Sequence, residues 1–191
     1  MQADWEIELG GDAPVIDACW PGFVDLRQFP GRINELQEIL RVPGLSESLL
    51  RLNGARFSPV WTSKCDVWPV TDFDSLELDA LAESALHAIA CYIDLLPRSD
   101  QQWPLPKMAI SACEALCARL RPIQLPRCRV DLIIRSAFIA PDLQDLGITA
   151  YLTACGPDES TATAQLSAAL AVFADSVAPS PDTVTAASKL Q

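Results

Sequence analysis

A chain of 191 residues, half of them apolar, is long enough to bury one core and short for two, so a single domain is expected. Asp and Glu total 25 against 14 Lys and Arg, a formal net charge of -11 that repels phosphate backbones and argues against nucleic acid as a partner. Seven cysteines form no CxxC pair and are odd in number, so they read as reduced, packed thiols and not as disulfides or a zinc knuckle.

Met1 to Gly10 carries Asp4, Glu6 and Glu8 and no basic start before an apolar run, so no secretory signal is read. No stretch approaches the ~20 apolar residues of a spanning helix, and the expectation is a cytoplasmic protein without a membrane partner. Trp5 to Leu9 alternates apolar and acidic residues, the period of a half-buried strand. Residues 13–30 hold three prolines and a Trp-Pro-Gly turn, which suits a short extended piece within an ordered loop. Arg32 to Arg41 places Ile33, Leu36, Ile39 and Leu40 at helical spacing before Val42, Pro43 and Gly44 stop it. Ser46 is positioned to cap a second short helix bearing Leu49, Leu50 and Leu52, with Asn53 and Gly54 as its exit.

Phe57 to Trp68 alternates again, which puts Trp61, Cys65 and Val67 on one face of a strand and Thr62, Lys64 and Asp66 on the other. From Ser75 to Leu96 the residues Leu78, Leu81, Ala82, Ala85, Ile89, Tyr92 and Leu96 trace the stripe of a helix of about six turns, which Pro97 ends. Pro106 opens a further helix to Leu120 that buries Ile110, Cys113, Leu116, Cys117 and Leu120. Arg129 to Ile139 and Gly147 to Cys155, rich in β-branched and aromatic residues, form a hairpin. Gly156 as cap and Pro157 as first residue start a last helix to about Val177, with Leu166, Ala169, Leu170, Phe173 and Val177 inward. Pro179 to Gln191 lacks apolar periodicity and reads as a disordered tail after a domain spanning 1–178. The expected fold is α+β: a mainly antiparallel sheet of about four strands with helices largely on one face.

No Gly-rich phosphate loop, GxGxxG, HExxH, GxSxG or EF-hand loop occurs, so no cofactor is expected. The single histidine, His87, lines up with Glu83 and Cys91 on the expected 75–96 helix, and Cys113 and Cys117 stand four apart on the next. These make a four-ligand zinc site conceivable. The two helical faces oppose it, however, and the plainer reading is a solvated His beside core thiols, with no metal. Cys155, one residue before the expected cap, is where a helix dipole favours thiolate. The loop Asp12 to Arg27 gathers Asp12, Asp17, Cys19, Trp20, Asp25 and Arg27, although its spacing matches no metal loop.

The alternation itself offers the strongest pointer. It places Lys64 and Asp66 with Asp131, Arg135 and Tyr151, together with Thr149 and Thr153, on a sheet face turned from the helices. A mixed face of this kind suits partner binding. The leading expectation is a non-catalytic or accessory protein that binds a protein or peptide, or pairs as a homodimer, through that face or a sheet edge. The alternative is a small cytoplasmic enzyme using Cys155 or the loop carboxylates in a pocket that a partner chain completes.

Overall fold

The computed structural model describes residues 1–18, 20–54, 58–81, 84, 87–98, 103–140 and 143–178. The expected tail, 179–191, lies outside them, as do Cys19, Ala82, Glu83 and Ala85. Six strands are described: β1 (Gln2–Glu8), β2 (Ile16–Asp17), β3 (Val60–Val70), β4 (His87–Pro97), β5 (Cys128–Ala140) and β6 (Leu143–Gly156). Three α-helices accompany them: α1 (Leu45–Asn53), α2 (Pro106–Leu120) and α3 (Glu159–Val177).

The strands form one sheet in the order β1-β5-β6-β4-β3, with β2 continuing the β1 edge along β5. The α+β class stands, but the sheet is mixed and six-stranded, not four antiparallel strands. β3, β4, β6 and β5 run antiparallel to one another in that order, whereas β1 and β2 run parallel to β5. The 128–156 hairpin is present as expected and forms the middle of the sheet.

One layer of helices builds the core. Leu45, Leu49 and Leu52 of α1, Cys113, Leu116 and Leu120 of α2, and Leu166, Leu170 and Phe173 of α3 share a cluster with Val130, Leu132, Ile134, Ala150, Leu152, Cys91 and Ile93. Those strand residues are alternate positions, so all three helices lie against the same side of the pleat. α3 starts two residues later than expected: its cap is Asp158, whose carboxylate accepts the backbone N–H of Thr161 at 2.7 Å. α1 begins at Leu45 behind Gly44, not at a Ser46 cap, and Gly44 takes a left-handed φ of 85° that glycine tolerates.

Two expected helices are absent. Residues 32–41 form two 3-10 turns, Pro30–Glu35 and Gln37–Leu40, interrupted by Leu36 in an extended conformation. The interval 75–96 divides into a 3-10 turn, Ser75–Leu78, and the strand β4. β4 is buried on both sides, and a strand buried on both sides shows a continuous apolar run that periodicity cannot separate from a buried helix.

β3 contains a bulge. Thr62 pairs with Leu95 and Cys65 with Ile93, so one extra residue stands on the β3 side. A one-residue insertion exchanges the faces, which corrects the expected alternation. Trp61 lies with Leu96 in a separate cluster on the far side, while Thr62, Cys65 and Val67 face the helices. The reversal is held by Asn53, the last residue of α1. Its amide Nδ2–H donates to Leu49 O at 2.8 Å and Thr62 Oγ1 at 2.7 Å, and its Oδ1 accepts the Thr62 N–H at 3.1 Å. All of this is buried. Asn53→Ala would strand the Thr62 N–H, so it should lower unfolding stability by about 1–3 kcal/mol, read as an earlier urea midpoint with an unchanged slope.

Candidate functional site: the open face of the sheet

Residues that alternate with the core positions point away from the helices, and the register lines them up across five strands. One rung reads Asp4, Asp131, Tyr151, Tyr92 and Asp66. Its neighbour reads Gln2, Arg129, Thr153, Ala90 and Trp68, and on the other side stand Glu6, Ile133, Thr149 and Asp94. Asp66, Asp131, Arg135 and Tyr151 therefore share this face, as their alternation predicts. Lys64 sits within the bulge, outside the rungs, and its ammonium lies 5.5 Å from the ring of Trp20.

Both ends of this face are covered. At one end Ile16, Ala18, Trp61, Leu96 and Ala137 pack together under Phe23, and Arg27 stacks its guanidinium 3.7 Å over the Trp61 ring. Gly147 permits the closure, because a Cβ there would stand 2.7 Å from Ile16 Cδ1. At the other end Leu78, Ala80, Ala88 and Cys155 bury one another. The central rungs lie between these covers.

Three rings occupy that centre. Trp68, Tyr92 and Tyr151 are half-buried, with centroid separations of 6.0 Å (Trp68 to Tyr92), 6.3 Å (Trp68 to Tyr151) and 6.0 Å (Tyr92 to Tyr151). Tilted and edge-on contacts of this kind suit aromatic quadrupoles. Carboxylates surround them. Arg129 Nε holds Asp131 at 2.8 Å, and Arg135 binds Glu8 at 2.7 Å while donating to Thr149 Oγ1 and Tyr151 Oη at 3.3 Å each. The Thr149 hydroxyl in turn donates to Asp94 Oδ1 at 2.7 Å. Asp94 is buried, and desolvation pushes its carboxyl above the ordinary value of 3.8, against the Thr149 hydrogen bond and the charges of Arg135 and Lys64. Burial likewise pushes the Tyr92 hydroxyl up to about 12.

The other candidate residues are dispersed. His87 begins β4 and is exposed, Cys91 faces the core from β4, and Cys113 and Cys117 are buried on α2, which packs against β1, β5 and β6. No group of three or more His, Cys, Asp or Glu able to hold a metal occurs among the described residues. Cys155 is fully buried within β6, three residues before the Asp158 cap. Burial pushes its thiol up, with only a partial counter-pull from Arg127, the reverse of the expected activation. In the 12–27 loop Asp25 is held by Arg27 at 2.8 Å, which lowers its carboxyl pKa, and Asp12 and Asp17 are exposed.

The helical spacing over 75–96 takes in Tyr92 with its stripe and Asp94 between its positions, which hides both from this face. The 57–68 alternation ends at Trp68 and assigns it to neither side. The β-branched and aromatic content of 88–95 was the available signal for a strand there. No described helix is long and apolar enough to cross a membrane.

Asp94→Asn keeps an oxygen for Thr149 and removes the buried charge. A carboxyl raised in the folded state costs stability progressively as pH rises from its unfolded value. The variant should therefore unfold later than the parent at pH 7, and the difference should fade as the pH falls toward 3.8; thermal melts across that range check it. Comparison with known proteins adds no assignment, since no family model, no curated protein and no solved structure matches this chain.

Proposed function

We propose that this protein is a non-catalytic, accessory component that binds a partner protein through the open face of its sheet. The observation that carries the reading is the cluster of Trp68, Tyr92 and Tyr151, half-exposed at the centre of the one face that no α-helix covers. Trp, Tyr and Arg are the residues that most often anchor protein interfaces, and three rings left half-exposed together present the rigid amphipathic contact area that such anchors use.

The face is favoured over the edges. The outer side of β3 already has Asn53 on the Thr62 N–H and Arg41 on Val67 O, and Asp66 accepts the Val67 N–H. On the β1 side Arg121 donates to Ala3 O and Asp4 accepts the Trp5 N–H. Strand addition along either line would have to displace these side chains.

Charge narrows the partner. Asp4, Glu6, Glu8, Asp66, Asp94 and Asp131 still outnumber Arg41, Arg121, Arg129, Arg135 and Lys64, and the four arginines already pair with Asp66, Asp4, Asp131 and Glu8. Docking two copies about a two-fold axis would oppose like carboxylates, so a partner presenting Lys or Arg fits better than a second copy. Association should slow as salt rises.

Purification from the source cells tests the reading. A single partner should accompany the parent and the exposed α2 variant Glu114→Arg, and should be lost from a Trp68→Ser, Tyr151→Ser variant that keeps its circular dichroism. A partner retained by the double variant overturns the proposal, and a stable two-copy mass by light scattering replaces it with self-association.

A further inference from the structure

Asp94 is out of keeping with the rest of the open face. Only 6 % of it is exposed, and a carboxylate so far removed from water is costly unless a cation meets it. None does among the described residues. Arg135 is committed to Glu8 at 2.7 Å, and Lys64 lies toward the Trp20 ring at 5.5 Å, so both act on Asp94 only from a distance. Its one hydrogen bond among the described residues comes from the Thr149 hydroxyl to Oδ1 at 2.7 Å.

The other oxygen, Oδ2, is unpartnered but reachable. Among the described residues the one sealed side-chain polar atom without a partner is the Trp20 indole nitrogen, so Oδ2 keeps a contact with solvent. The rings stand next to it. Tyr92 precedes Asp94 by two residues on the same side of β4. Arg135 Nη1 reaches both Tyr151 Oη and Thr149 Oγ1 at 3.3 Å, which puts the Tyr151 hydroxyl beside the Thr149–Asp94 pair. A half-exposed aromatic surface therefore ends at a buried anionic oxygen that has no counter-ion.

That arrangement selects what covers the rings. An apolar anchor would seal Oδ2 with nothing to bind it, whereas a cation would form its ion pair where water is largely excluded and beside aromatic rings, both of which strengthen it. Lysine suits the site better than arginine. A guanidinium fork engages both oxygens of a carboxylate, and Thr149 already holds one; an ammonium is a point charge that one oxygen can meet, on a hydrocarbon stem that lies against rings. Resting on the partner-binding reading above, we propose that the partner anchors itself on this face with a single lysine. Its stem crosses Trp68, Tyr92 and Tyr151, and its ammonium donates to Asp94 Oδ2.

Titrating the isolated protein with Nα-acetyl-L-lysine methylamide, while following the ring ¹H–¹³C cross-peaks of Tyr92 and Tyr151, tests the anchor without the partner. The expected result is a saturable shift, with binding at least about tenfold tighter than that of the norleucine counterpart, which lacks the ammonium, and tighter than that of the arginine counterpart. Asp94→Asn keeps an oxygen for Thr149 and removes the charge. It should bring the lysine compound down to the norleucine level in a protein whose other cross-peaks are unmoved. No saturable shift overturns the inference, as does equal binding of the lysine and norleucine compounds or a lysine affinity that Asp94→Asn leaves intact. Arginine bound as tightly as lysine overturns the choice of anchor. None of these results bears on whether a co-purified partner is lost from the Trp68→Ser, Tyr151→Ser variant, so the anchor and the partner-binding reading fail separately.

Discussion

Asn53 ties the end of α1 to β3 through two buried hydrogen bonds to Thr62, with a third back to Leu49 O of its own helix, and the bulge beside it determines which side chains of β3 meet the helices. Without the extra residue, Trp61 and Cys65 would share a face. With it, Trp61 joins the cover at one end of the open face, Thr62 turns in to meet Asn53, and Asp66 and Trp68 fall into line with Tyr92, Tyr151 and Asp131. The aromatic cluster depends on that change of phase, as does the displacement of Lys64 toward Trp20. An amide is suited to the task because it offers a donor and an acceptor together to a backbone N–H and a hydroxyl that cannot reach water.

The two faces of the sheet use different physics. The helix side is hydrocarbon packed on hydrocarbon, from Leu45 to Phe173, and provides the bulk of the stabilising burial. The other side holds a chain of charge-assisted contacts running from Glu8 through Arg135 to Thr149 and Asp94. Such a chain fixes side chains in place more than it stabilises the fold, because each charge gives up hydration to join it. Keeping Asp94 beneath the rings opposes folding at neutral pH. A carboxyl retained at that position fits a surface shaped for an encounter better than one shaped only for stability, and the rigid rings beside it lose little side-chain entropy when covered.

Much of this architecture was legible in the residues, and the failures have physical causes. The 129–155 hairpin, α2 and the end of α3 follow from β-branched runs, a Pro at the first helical position and a clean apolar stripe, and the structure contains them. The polar side of the face was readable too, since Asp131, Arg135 and Tyr151 sit on the part of the hairpin, short of its register shift at Phe138–Ala140, where alternation holds. β4 was not, because Cys91, Ile93 and Leu95 meet the helices while Ala88 and Leu96 lie under the covers, leaving only Tyr92 and Asp94 as a polar phase too short to mark a strand. The bulge was invisible for a different reason: an inserted residue shows only against its partner strand, and the residues of that strand carry helical spacing. Tyr92 and Asp94 were lost by the same step, which also hid the aromatic cluster.

The account rests on three rings being left half-exposed so that another protein can cover them. Hydroxyl-radical footprinting reads this directly, by comparing oxidation of Trp68, Tyr92 and Tyr151 in the isolated protein with oxidation in fresh extract of the source cells. The account predicts that all three are labelled in isolation and strongly protected in extract, while exposed Met108 on α2 is labelled equally in both. Equal labelling of the three rings in the two samples would contradict it.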